Sequence, residues 1–174
     1  MTTTGIGYDV HRFIEGRPLV LGGIEIPHSH GLDGHSDADV LSHAIADAIL
    51  GAIGESDIGH HFPNTDETIR GISSLDILSR VAVILTEKPA TLINVDATLI
   101  AEEPKISPHL AAMKSALAAT LGLPLDRIGI KATTNETLGF IGRAEGIAAM
   151  AVAAVDRDLG PTSPPALDTP PEID

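Results

Sequence analysis

The stretch from residue 36 to residue 54 constrains this chain more than any other. Leu41, Ala44, Ile45, Ala48, Ile49, Ala52 and Ile53 recur at helical spacing and form one apolar stripe, which needs a core to bury it. Ser36, Asp37, Ala38 and Asp39 precede the stripe and fit a capping box, with Asp in place of the usual Glu or Gln. Gly51 and Gly54 mark its end. Asp39, His43 and Asp47, at i, i+4 and i+8, lie along another side of the same helix. His35 and Ser36 therefore stand at the helix start, where unpaired backbone N–H groups and a partial positive charge favour an anion.

Around this helix the patterning alternates between the two periods. Ile6, Tyr8 and Val10 alternate with Gly7, Asp9 and His11, which predicts a strand over residues 5–13 with Asp9 and His11 on one face. Leu19, Val20 and Leu21 form a short strand ended by Gly22 and Gly23, and residues 24–27 return beside it as a hairpin. Residues 28–35 and 55–66 read as polar loops. A second amphipathic helix is predicted over about residues 73–87, with Leu75, Leu78, Ala82 and Leu85 inward, stopped at Lys88-Pro89. Residues 91–101 alternate as a strand. Ser107 as N-cap and Pro108 in the first turn open a third helix that runs to about Leu121. Residues 128–133 form another strand and residues 134–143 a loop. The Ala-rich segment 145–155 is ambiguous, since propensity favours helix but no clean polar face supports one. The end of the chain, residues 159–174, concentrates Pro and acid and is expected to be disordered, which leaves one domain over residues 1–158.

Composition narrows the chemistry. The formal charge is −13 and aromatic residues make up 2% of the 174, so neither a nucleic-acid partner nor stacked bases suit the chain. There is no Cys, which excludes disulfides, thiolate nucleophiles and Cys-ligated metals. No apolar run is long enough to span a membrane, and the first residues do not read as a signal peptide, so the expectation is a cytoplasmic protein. Any metal site must use the eight His and the carboxylates. Asp9 and His11 side by side on a strand, with His43 on the helix, make three ligands that leave a fourth tetrahedral position open, as catalytic zinc requires. Taken singly, Asp9 and His11 are ordinary edge-strand residues and His43 an ordinary hydrogen-bonding His. Asp47, one turn beyond His43, is either a partner orienting its imidazole or a solvated helix residue.

Longer motifs change this picture. The chain reads G-Y-D-V-H-R-F, then G-x-D-G-H-S-D-A-D-V-x-x-H-A, D-I-G-x-x-F-P at 57–63, N-V-D-x-T at 94–98, E-P-K at 103–105 and K-A-T-T-N-E-x-L-G-F-x-G-R-x-E-G-I-A at 131–148. In this order, from about Gly5 to Val155, they resemble the 2-C-methyl-D-erythritol 2,4-cyclodiphosphate synthase family, the cyclising enzymes of the non-mevalonate isoprenoid pathway.

The resemblance implies an α/β (α+β) sandwich, a mixed β-sheet packed with helices on one face, assembled as a homotrimer around a threefold axis with active sites between subunits. It implies Zn2+ held by Asp9, His11 and His43. The family substrate is 4-diphosphocytidyl-2-C-methyl-D-erythritol 2-phosphate, whose 2-phosphate attacks the β-phosphorus and expels CMP. By the same resemblance, His35 and Ser36 meet phosphate, and Thr134 is the second transition-state stabiliser beside His35. Asp57, Ile58 and Gly59 bind the methylerythritol hydroxyls, with Asp9, Val10, His11 and Phe62 beside the substrate. Ala101, Lys105, Thr133 and Thr134 belong to the cytidine pocket, and Glu136 helps hold Mg2+ or Mn2+ between the phosphates. Phe140 and Arg143 face an axial channel associated with a prenyl diphosphate, the competing role for Arg143 being an intersubunit ion pair with Glu145. Asn64 departs from the Asp frequent in the family, which puts an ionic role there in doubt. In the trimer, residues 145–155 become a strand with both faces apolar. The rival reading is a non-catalytic metal- or nucleotide-binding module on the same scaffold.

Overall fold

Strand β1 runs from Thr2 to Glu15, longer at both ends than its motif predicts. The computed structural model describes residues 1–158 except Asn64. The expectations for Asn64 and for residues 159–174 thus fall outside the described residues. The other strands are β2 (Leu19–Leu21), β3 (Ile24–Ile26), β4 (His30–Leu32), β5 (Ala90–Ile100), β6 (Ile128–Thr133) and β7 (Gly146–Arg157). Five of them form one sheet in the order β4-β1-β7-β5-β6, and β2 pairs with β3 as the predicted hairpin. Only β5 and β6 run parallel, so the sheet is mixed. The fold is α+β, with helices α1 (Val40–Ile53), α2 (Ile58–His61), α3 (Ser74–Thr86), α4 (Leu110–Leu121) and α5 (Gly139–Gly142).

Segment 145–155 is a strand, as the family resemblance implies and against helix propensity. β7 occupies the centre of the sheet, antiparallel to β1 on one side and to β5 on the other. Ladder bonds on both edges outweigh the few tenths of a kcal/mol per residue by which Ala prefers helix. Its Ile147, Ala149, Ala151, Ala153 and Val155 are buried against the helical layer. Small side chains there let α1 lie close, and β1 carries the same logic further. A Cβ on Gly7 would sit 1.9 Å from the Ala44 carbonyl oxygen, and one on Gly5 2.2 Å from that of Ala48. Glycine at these two positions lets β1 and α1 touch backbone to backbone, which brings Asp9 and His11 within reach of His43.

Several local readings are corrected. Helix α1 is capped by Asp39, not Ser36: the Asp39 side chain accepts from the N–H groups of Leu41 and Ser42. Gly51 lies inside the helix, and only Gly54, with φ of 77°, ends it. The 28–35 segment is not all loop, because β4 pairs with β1 from Phe13 to Glu15. Within 55–66 the chain makes α2, and within 134–143 it makes α5. Ser107 does not cap α4; residues Ser107–His109 form a 3-10 turn without a side-chain cap before it. The second helix starts as predicted, with Ser73 accepting from the Leu75 N–H.

Candidate active site

Asp9 and His11 project from β1 toward α1, and His43 reaches them from one turn into that helix. The Asp9 Oδ2 atom lies 2.9 Å from His43 Nδ1 and 3.0 Å from His11 Nε2, and the two nitrogens are 3.3 Å apart. These three residues form a group able to hold a metal ion. Tetrahedral zinc with bonds of about 2.0–2.1 Å has ligand–ligand edges of about 3.3 Å, so the triangle is close to the required size.

The outer hydrogen bonds decide which ring atoms face inward. His11 Nδ1 lies 2.5 Å from the Asp33 carbonyl oxygen, which can only accept, so Nδ1 carries the proton and Nε2 presents a lone pair. For His43 the same argument runs through Ser74. Its hydroxyl donates to Asp37 Oδ1, so its oxygen accepts from His43 Nε2–H, 2.9 Å away. Ser36 Oγ stands 3.1 Å from the same nitrogen. His43 Nδ1 is therefore also a bare acceptor. Three lone pairs converge on one point, an arrangement that a cation between them satisfies. The donor set and its tautomers fit zinc, and the residues behind them are of the kind that orient metal-binding imidazoles.

Electrostatics agree. Burial opposes charge on Asp9, yet hydrogen bonds and charge from His11 and His43 outweigh it and hold the carboxyl well below the usual range. His11 is likewise resisted by burial, but the Asp9 carboxylate and the Asp33 carbonyl raise its pKa. Below that raised value His11 carries a second proton, on Nε2 in place of the lone pair, and a metal must displace it. Zinc affinity is therefore expected to rise with pH through the raised His11 value and to fall below it, by up to about tenfold per pH unit for each proton displaced. Chelator competition stepped from about pH 5 to about pH 8 would read this; a flat profile would rule out His11 as a ligand.

A cavity of about 260 Å3 opens onto the triad, lined also by Gly34, His35, Ser36, Ile58, Gly59 and Phe62. Asp57 instead borders a neighbouring cavity of about 240 Å3 that includes Tyr8 and Asp47, and one of its oxygens caps α2 by accepting the His60 N–H at 3.0 Å. Val10 points to the far face of the sheet. Ala101, Lys105, Thr133 and Thr134 line a third cavity of about 440 Å3. Thr134 Oγ1 donates to Glu136 Oε1 at 2.9 Å beside it. Arg143 pairs with Glu145 of its own chain at 2.6 Å, and Phe140 is partly exposed nearby.

Asp47 acts on His43 only through space, its hydrogen bond going elsewhere. Its carboxylate accepts the Ile58 N–H at 2.8 Å, because it faces the α1–α2 loop and so fixes where Ile58 and Gly59 stand. Burial, with the nearby Asp57 and Asp9 charges, pushes its pKa up against that bond and the opposing electrostatic influence of His43. The sequence reading missed Asp37, Ser74 and Arg17. Arg17 donates Nη1 to the Gly34 carbonyl at 2.5 Å and Nη2 to the Ser36 carbonyl, clamping the loop that presents His35. Asp37 lay within a quoted motif, but Ser74 is 31 residues from His43, so no local pattern joins them.

The YgbB family profile matches residues 2–156. The chain belongs to the YgbB family. This YgbB-family chain is 61% identical over 153 residues to the 2-C-methyl-D-erythritol 2,4-cyclodiphosphate synthase of Akkermansia muciniphila, covering 87% of this chain and 90% of that one. A solved 2C-methyl-D-erythritol-2,4-cyclodiphosphate synthase in a CDP-bound form is similar over 88% of this chain and 99% of that one, with a TM-score of 0.81 and 38% identity. The bifunctional IspDF from Campylobacter jejuni is similar with a TM-score of 0.86 and 44% identity, over 89% of this chain but only 42% of that longer one. Among the described residues no helix is long and apolar enough to cross a membrane.

Proposed function

We propose that this chain is a phosphorus–oxygen lyase of isoprenoid precursor synthesis. It converts 4-diphosphocytidyl-2-C-methyl-D-erythritol 2-phosphate to 2-C-methyl-D-erythritol 2,4-cyclodiphosphate and CMP. An oxygen of the 2-phosphate bonds to the β-phosphorus, and the bond from that phosphorus to the CMP oxygen breaks. The observation that carries the reading is the convergence of three lone pairs from Asp9, His11 and His43 at the mouth of a cavity. The chain's 61% identity to a synthase of that name supports it. Such a transfer needs alignment and charge neutralisation more than a protein nucleophile.

In this reading the domain spans residues 1–158 and the enzyme is cytoplasmic. His35 and Ser36 bind phosphate, and Ile58 and Gly59, with Asp57, bind the methylerythritol hydroxyls. Ala101, Lys105 and Thr133 hold the cytidine, while His35 and Thr134 donate to phosphoryl oxygens as charge builds. Zinc held by Asp9, His11 and His43 supplies positive charge to the reacting diphosphate when bound. Glu136 offers the hard oxygen that Mg2+ or Mn2+ takes together with phosphate oxygens.

A homotrimer completes the site. Val10, Ala148, Ile100 and Thr133 form one row across the sheet, so the metal-side strand and the nucleotide-side strand lie three strand spacings apart, about 14 Å. The two cavities share no lining residue. A diphosphate cannot bridge that gap with CMP expelled beside the triad, whereas a neighbouring copy can supply the nucleotide pocket. The sheet face away from α1 supports such a neighbour: Ile6 is 66% exposed, Tyr8 53%, Val10 39%, Met150 42% and Val152 46%, a contiguous apolar surface. Phe140 and Arg143 would then receive a prenyl diphosphate at the axis, a reading that the Arg143–Glu145 pair weakens by compensating the charge. Calorimetry with geranyl diphosphate, comparing wild type with Arg143→Ala, decides it; no heat with wild type would end it.

The test of the main reading assays the species separated by light scattering. A particle of three chain masses should release CMP from the cytidyl substrate, lose that activity to a chelator and regain it only when zinc and Mg2+ are both restored. Full activity in a monomer, or activity indifferent to the chelator, would overturn the corresponding part.

A further inference from the structure

Thr134 and Glu136 sit on a turn whose backbone shape is unusual. Glu136 and Thr137 have φ of 51° and 63°, in the left-handed region that β-branched side chains avoid. On one side Gly142 packs against it so closely that a Cβ there would lie 2.1 Å from the Thr137 carbonyl carbon. On the other side stands Glu102. Its Oε1 accepts the backbone N–H of Asn135 at 2.9 Å and that of Thr137 at 3.0 Å. Backbone N–H groups curled around one anion make a nest, and their bonds to a carboxylate are of the stronger, charge-assisted kind. The bracing residue also belongs to the cavity: Glu102 follows β5 and lines the same space as Ala101, Lys105 and Thr133.

We propose that Glu102 is a positioning residue, whose carboxylate holds the 134–137 turn so that the Thr134 hydroxyl and the Glu136 carboxylate face the diphosphate of a nucleotide seated in that cavity. What is seated there rests on the function proposed above; the brace itself does not. The Thr134 hydroxyl already donates to Glu136, so the two groups move as a unit with the turn. Glu102 spends its Oε1 on backbone and leaves recognition of the base to its neighbours. Its substitution should therefore disturb the chemical step more than nucleotide affinity.

Three measurements on the full chain test this. In Glu102→Ala the amides of Asn135 and Thr137 should exchange with solvent about tenfold faster, the size of one lost hydrogen bond. Turnover should fall on the order of 100-fold while the CMP dissociation constant, by calorimetry, moves less than about threefold, since misplacing a stabilising group costs rate rather than ground-state binding. Glu102→Gln keeps an acceptor oxygen in place and should restore both the amide protection and most of the turnover. Unchanged exchange at the two amides in Glu102→Ala would overturn the brace. CMP affinity falling in step with turnover would make Glu102 a nucleotide contact instead. If the wild type released no CMP, the proposed reaction would fail, while the exchange comparison would still decide the role of Glu102.

Discussion

Replacing Asp9, His11 or His43 by Ala should lower CMP release on the order of 10³-fold or more and strip zinc from the protein without unfolding it. Each variant removes one of the three donors gathered into one group among the described residues, and two remaining donors would not hold an ion against water and competing chelators. The fold should survive because the triad lines a cavity instead of packing wholly within the apolar core. In His43→Ala the vacated ring space faces the Ser36 and Ser74 hydroxyls, polar groups that water can satisfy. The residues behind the triad should give a graded effect. Ser74→Ala removes the nearer of the two hydroxyls that meet His43 Nε2 and should weaken zinc binding by about 10–100-fold, with activity recovered by added metal. Metal content by mass spectrometry, turnover, and circular dichroism read the three properties separately. Full zinc occupancy with full activity in any of the three ligand variants would refute the assignment.

The contrast between ligands and supports marks what the sequence could reveal. Asp9, His11 and His43 were legible because each lies in an element with strong periodicity: a two-residue alternation fixes the shared face of Asp9 and His11, and the helical repeat places His43 off the apolar stripe. The hairpin at Gly22-Gly23 and the start of the helix near residue 73 were legible for the same local reason. The supports are not local. Asp37 meets Ser74 across 37 residues, and Glu102 meets Asn135 across 33; each contact exists only because separate loops gather at one end of the sheet. Segment 145–155 was ambiguous for the opposite reason, and is a strand. Its Ala content expresses a real helical preference, but a preference of that size yields when both edges of the segment find strands to pair with. Only the resemblance to a family carried that information.

The reading of residues 36–39 failed most instructively, because the spacing that suggested Ser36 as a cap is genuine. The cap lies three residues later, since Asp39 has more donors to satisfy. Its Oδ1 accepts from the N–H groups of Gly22 at 2.8 Å, Leu41 at 3.1 Å and Ser42 at 3.2 Å. Its Oδ2 accepts from the Gly23 N–H and the Ser42 hydroxyl, both at 2.7 Å. Asp39 thus ties the β2–β3 turn to the start of α1, one helical turn before His43. Its side chain is fully buried, and burial, with the nearby Asp37 charge, pushes the carboxyl's pKa up against the hydrogen bonds from Ser42, Gly22 and Gly23.

Asp39→Ala should therefore destabilise the protein by about 4 kcal/mol, because it leaves several buried N–H groups without an acceptor. That is a large part of the roughly 5–15 kcal/mol typical of a domain. Asp39→Asn should cost less, about 1–2 kcal/mol. With its carbonyl oxygen in the Oδ1 position it keeps the Gly22, Leu41 and Ser42 N–H groups. Its amide can donate to the Ser42 oxygen, leaving only the Gly23 N–H without a partner, and the variant also sheds a buried charge. Urea unfolding of the metal-free proteins gives both values without the added stabilisation of bound zinc. If the loss in Asp39→Ala were below about 1 kcal/mol, water would have to be reaching the turn. If Asn cost as much as Ala, the charge itself, and not the acceptor oxygens, would be what joins the hairpin to the helix that carries His43.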